Sequence, residues 1–143
     1  MSIQAVLAPV FAQVLLTFAL LIMMGRRRFA EVGAGRVRVG DIALGERNWP
    51  PRVQAAANAF SNQFELPVLF YALVPLALLT RKADLLFVVL AWAFVATRLV
   101  HAGVFVTSNH VPTRFRAYMA GVLVLFVLWA VFAVRILLAP ALP

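Results

Sequence analysis

The chain has 143 residues, 64% hydrophobic and 13% charged, with a mean hydropathy of +0.96; soluble domains are nearer half apolar and a quarter charged, so an ordinary soluble domain is excluded. No cysteine is present, which excludes disulfides, thiolate metal sites and a cysteine nucleophile. The net charge of +8 comes from arginines in loops beside apolar segments, which points to a membrane surface as partner and away from nucleic acid.

Four apolar segments follow one another along the chain, at about residues 3–24, 53–79, 84–107 and 115–138. Each reaches the roughly 20 residues needed to cross about 30 Å of hydrocarbon. None alternates as a barrel strand does. The expected fold is therefore an all-α integral membrane protein, an antiparallel four-helix bundle in a single domain over residues 1–143. No basic region precedes the first segment, which is therefore expected to be a retained helix and not a cleaved signal.

The loop at 25–52 contains Arg26, Arg27, Arg28, Arg36, Arg38, Arg47 and Arg52, and also Gly25, Gly33, Gly35, Gly40 and Gly45 of the chain's 7 glycines. A loop this long is commonly functional or mobile. For most of it the simpler reading is a basic connector over lipid headgroups. Arg26 to Arg28 differ, since they end the first helix and can point into a site. The third loop ends in Arg114 and Arg116, whereas the opposite side has Arg81 and Lys82, with Arg135 near the C-terminus. The excess of positive charge puts loops one and three in the cytoplasm and both termini outside it.

Polar residues interrupt the second and third segments. Asn58, Asn62 and Glu65 share a helical face, and so do Arg98, His101 and Phe105. At about 1.5 Å per residue, Glu65 lies roughly 24 Å from Arg81, while Arg98 and His101 lie roughly 21 and 25 Å from Asp84. The three are thus level on adjacent antiparallel helices. A Glu65–Arg98 pair is expected, because isolated charges at membrane depth are costly. Such a pair is either architectural or the floor of a site. His101 is then free for Glu65, Asn62 or a ligand. Pro67 cannot donate to the Gln63 carbonyl, so a kink or a free acceptor is expected at this level. Arg114, Arg116 and Tyr118 read alone as interfacial anchors, but Arg114 lies near the mouth of the same face, where a ligand would be anionic. His101 and His110 are too far apart for a metal site, and there is no phosphate-binding glycine loop.

Three of these stretches together resemble the MAPEG family, the membrane-associated proteins in eicosanoid and glutathione metabolism. Asn62-Gln-Phe-Glu65-Leu-Pro67 is similar to the family's Asn-x-x-Glu-x-x-Pro element, with the proline one place early. Arg98-Leu-Val-His101 is similar to its Arg-x-x-His or Arg-x-x-Tyr element, and Arg114-Phe-Arg-Ala-Tyr118 to the arginine-rich start of its fourth helix. The resemblance covers the whole chain and is to a bacterial branch, which implies an inner-membrane location. It implies a homotrimer, with glutathione held between subunits near the cytoplasmic leaflet. Carried over, Asn62, Glu65, Arg98 and His101 form the polar floor, Arg114 stabilises the thiolate, Tyr118 is a further contact, and one of Arg26 to Arg28, taken as Arg26, reaches in from the first helix. Ser61 stands where glutathione-using members often have arginine, and Phe105 where some have tyrosine.

The implied activity is a glutathione-dependent transferase or peroxidase acting on a lipophilic electrophile. The alternative is a membrane protein that binds glutathione, a small anion or an anionic lipid without turnover. A transporter or proton relay is disfavoured, because the chain shows no internal repeat.

Overall fold

A computed structural model describes residues 1–45 and 48–138; Arg47 of the first loop lies outside them. The described residues form α1 (Ile3–Gly33), α2 (Pro51–Ser61), α3 (Leu66–Leu79), α4 (Leu85–Val106) and α5 (Val111–Leu137), with 3-10 turns at Val39–Ile42 and Asn62–Phe64. They contain no strand. Four passes are long and apolar enough to cross a membrane: α1, the α2–α3 unit, α4 and α5.

Local chemistry sets the boundaries. Ser2 caps α1 by accepting from the Ala5 N–H at 3.3 Å, and Asp84 caps α4 by accepting from Phe87 at 3.0 Å. Pro51, Pro67 and Pro112 open α2, α3 and α5, where a missing N–H costs nothing. Pro112 thereby starts the last helix at Val111, earlier than the apolar run suggests. The first helix also runs further than its apolar stretch. Nothing between Gly25 and Gly33 stops it, and arginine is a good helix former, so Arg26, Arg27 and Arg28 are helical. At 31 residues α1 is about 46 Å long and exceeds the hydrocarbon thickness.

The second pass is broken. After Ser61 the chain makes a 3-10 turn, Glu65 adopts φ −100° and ψ −105°, and α3 starts afresh at Leu66. Pro67 explains the break, because its ring clashes with the Gln63 carbonyl and it has no N–H to donate.

Arg27 ties one end of the bundle together, donating to the carbonyls of Arg52 at 2.9 Å and Val106 at 3.2 Å. At the other end Arg135 pairs with Asp84 at 2.7 Å. Neighbouring passes therefore run antiparallel. One apolar core gathers Val6, Phe70, Leu73, Phe94, Val95, Leu125 and Leu128. A second gathers Leu20, Ala59, Ala102 and Phe105. Between them, on three passes, lies a buried polar layer of Gln13, Gln63, Arg98 and His101. Long apolar side chains such as Phe11, Leu15, Phe18, Leu123 and Phe126 face outward, as helices in lipid require.

Candidate functional site

The polar layer follows from the break. A helix interrupted at membrane depth leaves backbone carbonyls that lipid cannot satisfy, and neighbouring side chains must do so. Gln63 donates to the Ala59 carbonyl in the last turn of α2 at 2.9 Å, and Gln13 of α1 donates to the Gln63 amide oxygen at 2.8 Å. From the other side Arg98 donates to the Asn62 carbonyl at 3.4 Å and to the Asn62 side-chain oxygen. Asn62 in turn donates to the Glu65 carboxylate at 2.6 Å.

The expected Glu65–Arg98 ion pair is thus not formed. The ion pairs among the described residues are Arg36–Glu31 and Arg135–Asp84. Asn62 stands between Arg98 and Glu65, bonded to both. The reason is the backbone at Glu65, which leaves the helical path and carries the carboxylate to the outer surface, where Glu65 is exposed.

Arg98 is fully buried and His101 is 3% exposed. The Arg98 guanidinium lies 5.9 Å from the centre of the Tyr118 ring, and the His101 ring is 5.6 Å from both Tyr118 and Phe105. His101 Nδ1 is 3.0 Å from the Arg114 carbonyl. A carbonyl only accepts, so Nδ1 carries the proton and holds the first turn of α5. Nε and Nη1 of Arg98 and Nε2 of His101 have no hydrogen-bond partner among the described residues. The availability expected of His101 is therefore narrow: the ring is enclosed and one nitrogen is already used.

Arg114 is placed differently. Its guanidinium lies 4.1 Å from the centre of the Phe105 ring and donates to the Asn109 side-chain oxygen. Asn109 has a φ of 49°, a left-handed conformation that asparagine tolerates, and ends the α4 connection by donating its N–H to Val104 at 2.8 Å. No carboxylate pairs with Arg114 among the described residues, so its charge is held in place but not neutralised.

Six of the residues singled out from the sequence therefore lie in one chain of contacts: Glu65, Asn62, Arg98, Tyr118, His101 and Arg114. Arg26 is exposed on α1 and joins none of these contacts. Sequence reasoning missed Gln13, Gln63 and Asn109. Gln13 carried a signal, an amide in an otherwise apolar run. Asn109 carried only the weak one of an asparagine at a helix end.

Gly121 completes the packing. A methyl group there would sit 2.8 Å from Thr97 Oγ1 and 3.9 Å from Arg98 Cδ. α5 crosses α4 closely at the level of Arg98 only because this position has no side chain. The MAPEG family model matches residues 6–134.

The chain belongs to the MAPEG family.

The match spans all four passes, and with them the whole contact chain from Glu65 to Arg114. No curated protein and no solved structure matches the chain. Membership together with four apolar passes makes it an integral membrane MAPEG protein. Among the described residues no group of histidine and carboxylate side chains could hold a metal ion.

Proposed function

We propose that this MAPEG protein is a membrane-bound glutathione-dependent transferase or peroxidase acting on lipophilic electrophiles. The observation that carries the reading is Arg114, a positioned guanidinium with no carboxylate partner among the described residues. A free thiol has a pKa near 8.5, and a cation beside it lowers that value, so that the nucleophilic thiolate exists at neutral pH. Asn62 and Glu65 supply an amide and a carboxylate suited to a peptide's amine and backbone, and Tyr118 lines the same level. Arg26, which faces outward, would reach a ligand carboxylate from a neighbouring subunit. Glu65 is exposed on the side of a single chain at membrane depth, where a carboxylate with no cation beside it is costly. A homotrimer with the ligand between subunits would cover it. The positive-inside rule orients the arginine-rich end toward the cytoplasm, as for a bacterial inner-membrane protein with both termini outside.

The enclosure of Arg98 and His101 favours a second reading, a protein that binds glutathione or another small anion without turnover. Conjugation of a chloronitrobenzene separates the two. In wild type the rate is expected to follow thiolate formation below neutral pH. In Arg114→Ala the pH–rate profile moves to higher pH, with at least about a tenfold loss at pH 6.5, the effect of one pKa unit. An unchanged profile would remove Arg114 from the chemistry. Binding without turnover in wild type would establish the second reading.

A further inference from the structure

The consecutive arginines at the end of α1 have three separate fates. Arg26 is exposed. Arg27 is used up on the carbonyls of Arg52 and Val106. Arg28 packs its guanidinium 4.9 Å from the centre of the Trp49 ring, and its buried Nε has no hydrogen-bond partner among the described residues.

Arg28 and Trp49 form one wall of a cavity of about 360 Å³ that α2 closes with Gln54, Asn58 and Ser61. Gln54 donates to the Asn58 side-chain oxygen at 2.7 Å. That bond occupies the acceptor of Asn58 and leaves its amide N–H groups as donors. A guanidinium, an amide and a hydroxyl therefore line one space, and no carboxylate lines it among the described residues. The cavity lies beside the contact chain described above and shares no residue with it.

We infer that this cavity is a binding site for an organic phosphate. A tetrahedral anion with several acceptor oxygens matches a guanidinium fork supported by neutral donors. The indole at the rim is the side chain that favours the headgroup level of a bilayer. Either the phosphodiester of an anionic lipid or a soluble phosphate ester meets this description. The inference is independent of glutathione use, because Arg28 takes no part in the proposed thiolate site.

The test uses the full chain purified in detergent. Melting is followed with short-chain phosphatidylglycerol, with phosphatidylcholine of the same chain length, and with glycerol phosphate. Phosphatidylglycerol is expected to raise the melting temperature more than phosphatidylcholine does. Arg28→Gln should weaken that binding at least about tenfold, the weight of one charge-assisted hydrogen bond. Ser61→Leu, which fills the cavity and leaves the Arg28–Trp49 contact in place, should weaken it likewise, and Arg52→Gln should not. A shift with glycerol phosphate alone identifies a soluble ester as sufficient; a shift with phosphatidylglycerol only identifies the lipid. No shift from either phosphatidylglycerol or glycerol phosphate, equal shifts from both lipids without one from glycerol phosphate, or undiminished binding in both Arg28→Gln and Ser61→Leu would overturn the inference.

Discussion

Arg98 shows how a charged residue can be held at membrane depth without an ion pair. Its guanidinium joins the Glu65 N–H at the Asn62 carbonyl in the broken segment and shares the Asn62 side chain with Glu65. Removing each of the two groups should therefore have unequal consequences. Arg98→Ala leaves the side-chain oxygen of half-buried Asn62 without its donor, which costs about 1–3 kcal/mol, together with a cavity where the fully buried side chain stood. Glu65→Gln keeps an acceptor for the Asn62 amide at an exposed position, and its stability should stay within about 0.5 kcal/mol of wild type. Chemical denaturation of the detergent-solubilised chain measures both. A Glu65→Gln loss as large as that of Arg98→Ala would mean that the two pair directly after all. The sequence revealed the common level of these side chains, because rise per residue is fixed. It did not reveal their directions, because those depend on how the chain turns at Glu65.

The elements explain why that turn is stable. Pro67 announces a defect in the second pass, and the extent of the defect is set by Gln63 within it and by two neighbours distant in sequence, Gln13 on one side and Arg98 on the other. A single sequence does not reveal such reciprocal satisfaction, since a glutamine in an apolar run has many possible partners. The approach of α5 to α4 was equally hidden, because Gly121 stands among apolar residues with no distinguishing signal. Gly121→Ala should destabilise the bundle by about 1–3 kcal/mol, the usual cost of overpacking, because the new methyl group meets Thr97 Oγ1. Adding Thr97→Ala removes that atom and should recover most of the loss. A double-mutant cycle with no coupling between the two positions would show that the helices do not meet there.

At the scale of the whole molecule, the number of passes, their helical character and the family resemblance were all legible from hydropathy and three short stretches. The length of α1 was not, because Arg26 to Arg28 mark a membrane boundary without ending a helix. The two ends of the bundle are closed differently, by Arg27 at the basic end and by Asp84 with Arg135 at the other. Hydrogen bonding to Arg135 holds the Asp84 carboxyl below the usual carboxylate range. A depressed folded-state pKa adds stability above the unfolded value, near 3.9, that is lost as pH falls through the folded value. Asp84→Asn keeps a capping side chain for α4 and removes the charge. Its melting temperature should lie below wild type at pH 7, with the gap closing as pH falls below the usual carboxylate range. A gap that stays constant with pH would contradict the assignment.

The central claim is that the level of Asn62, Glu65, Tyr118 and Arg114 receives glutathione. Thermal melting of the purified wild-type chain with and without millimolar glutathione tests it most directly. At a hundred times the dissociation constant, the ligand should stabilise the protein by about 2.7 kcal/mol, seen as a rise in melting temperature that saturates with concentration. A melting temperature that glutathione leaves unchanged would contradict both the catalytic and the glutathione-binding readings.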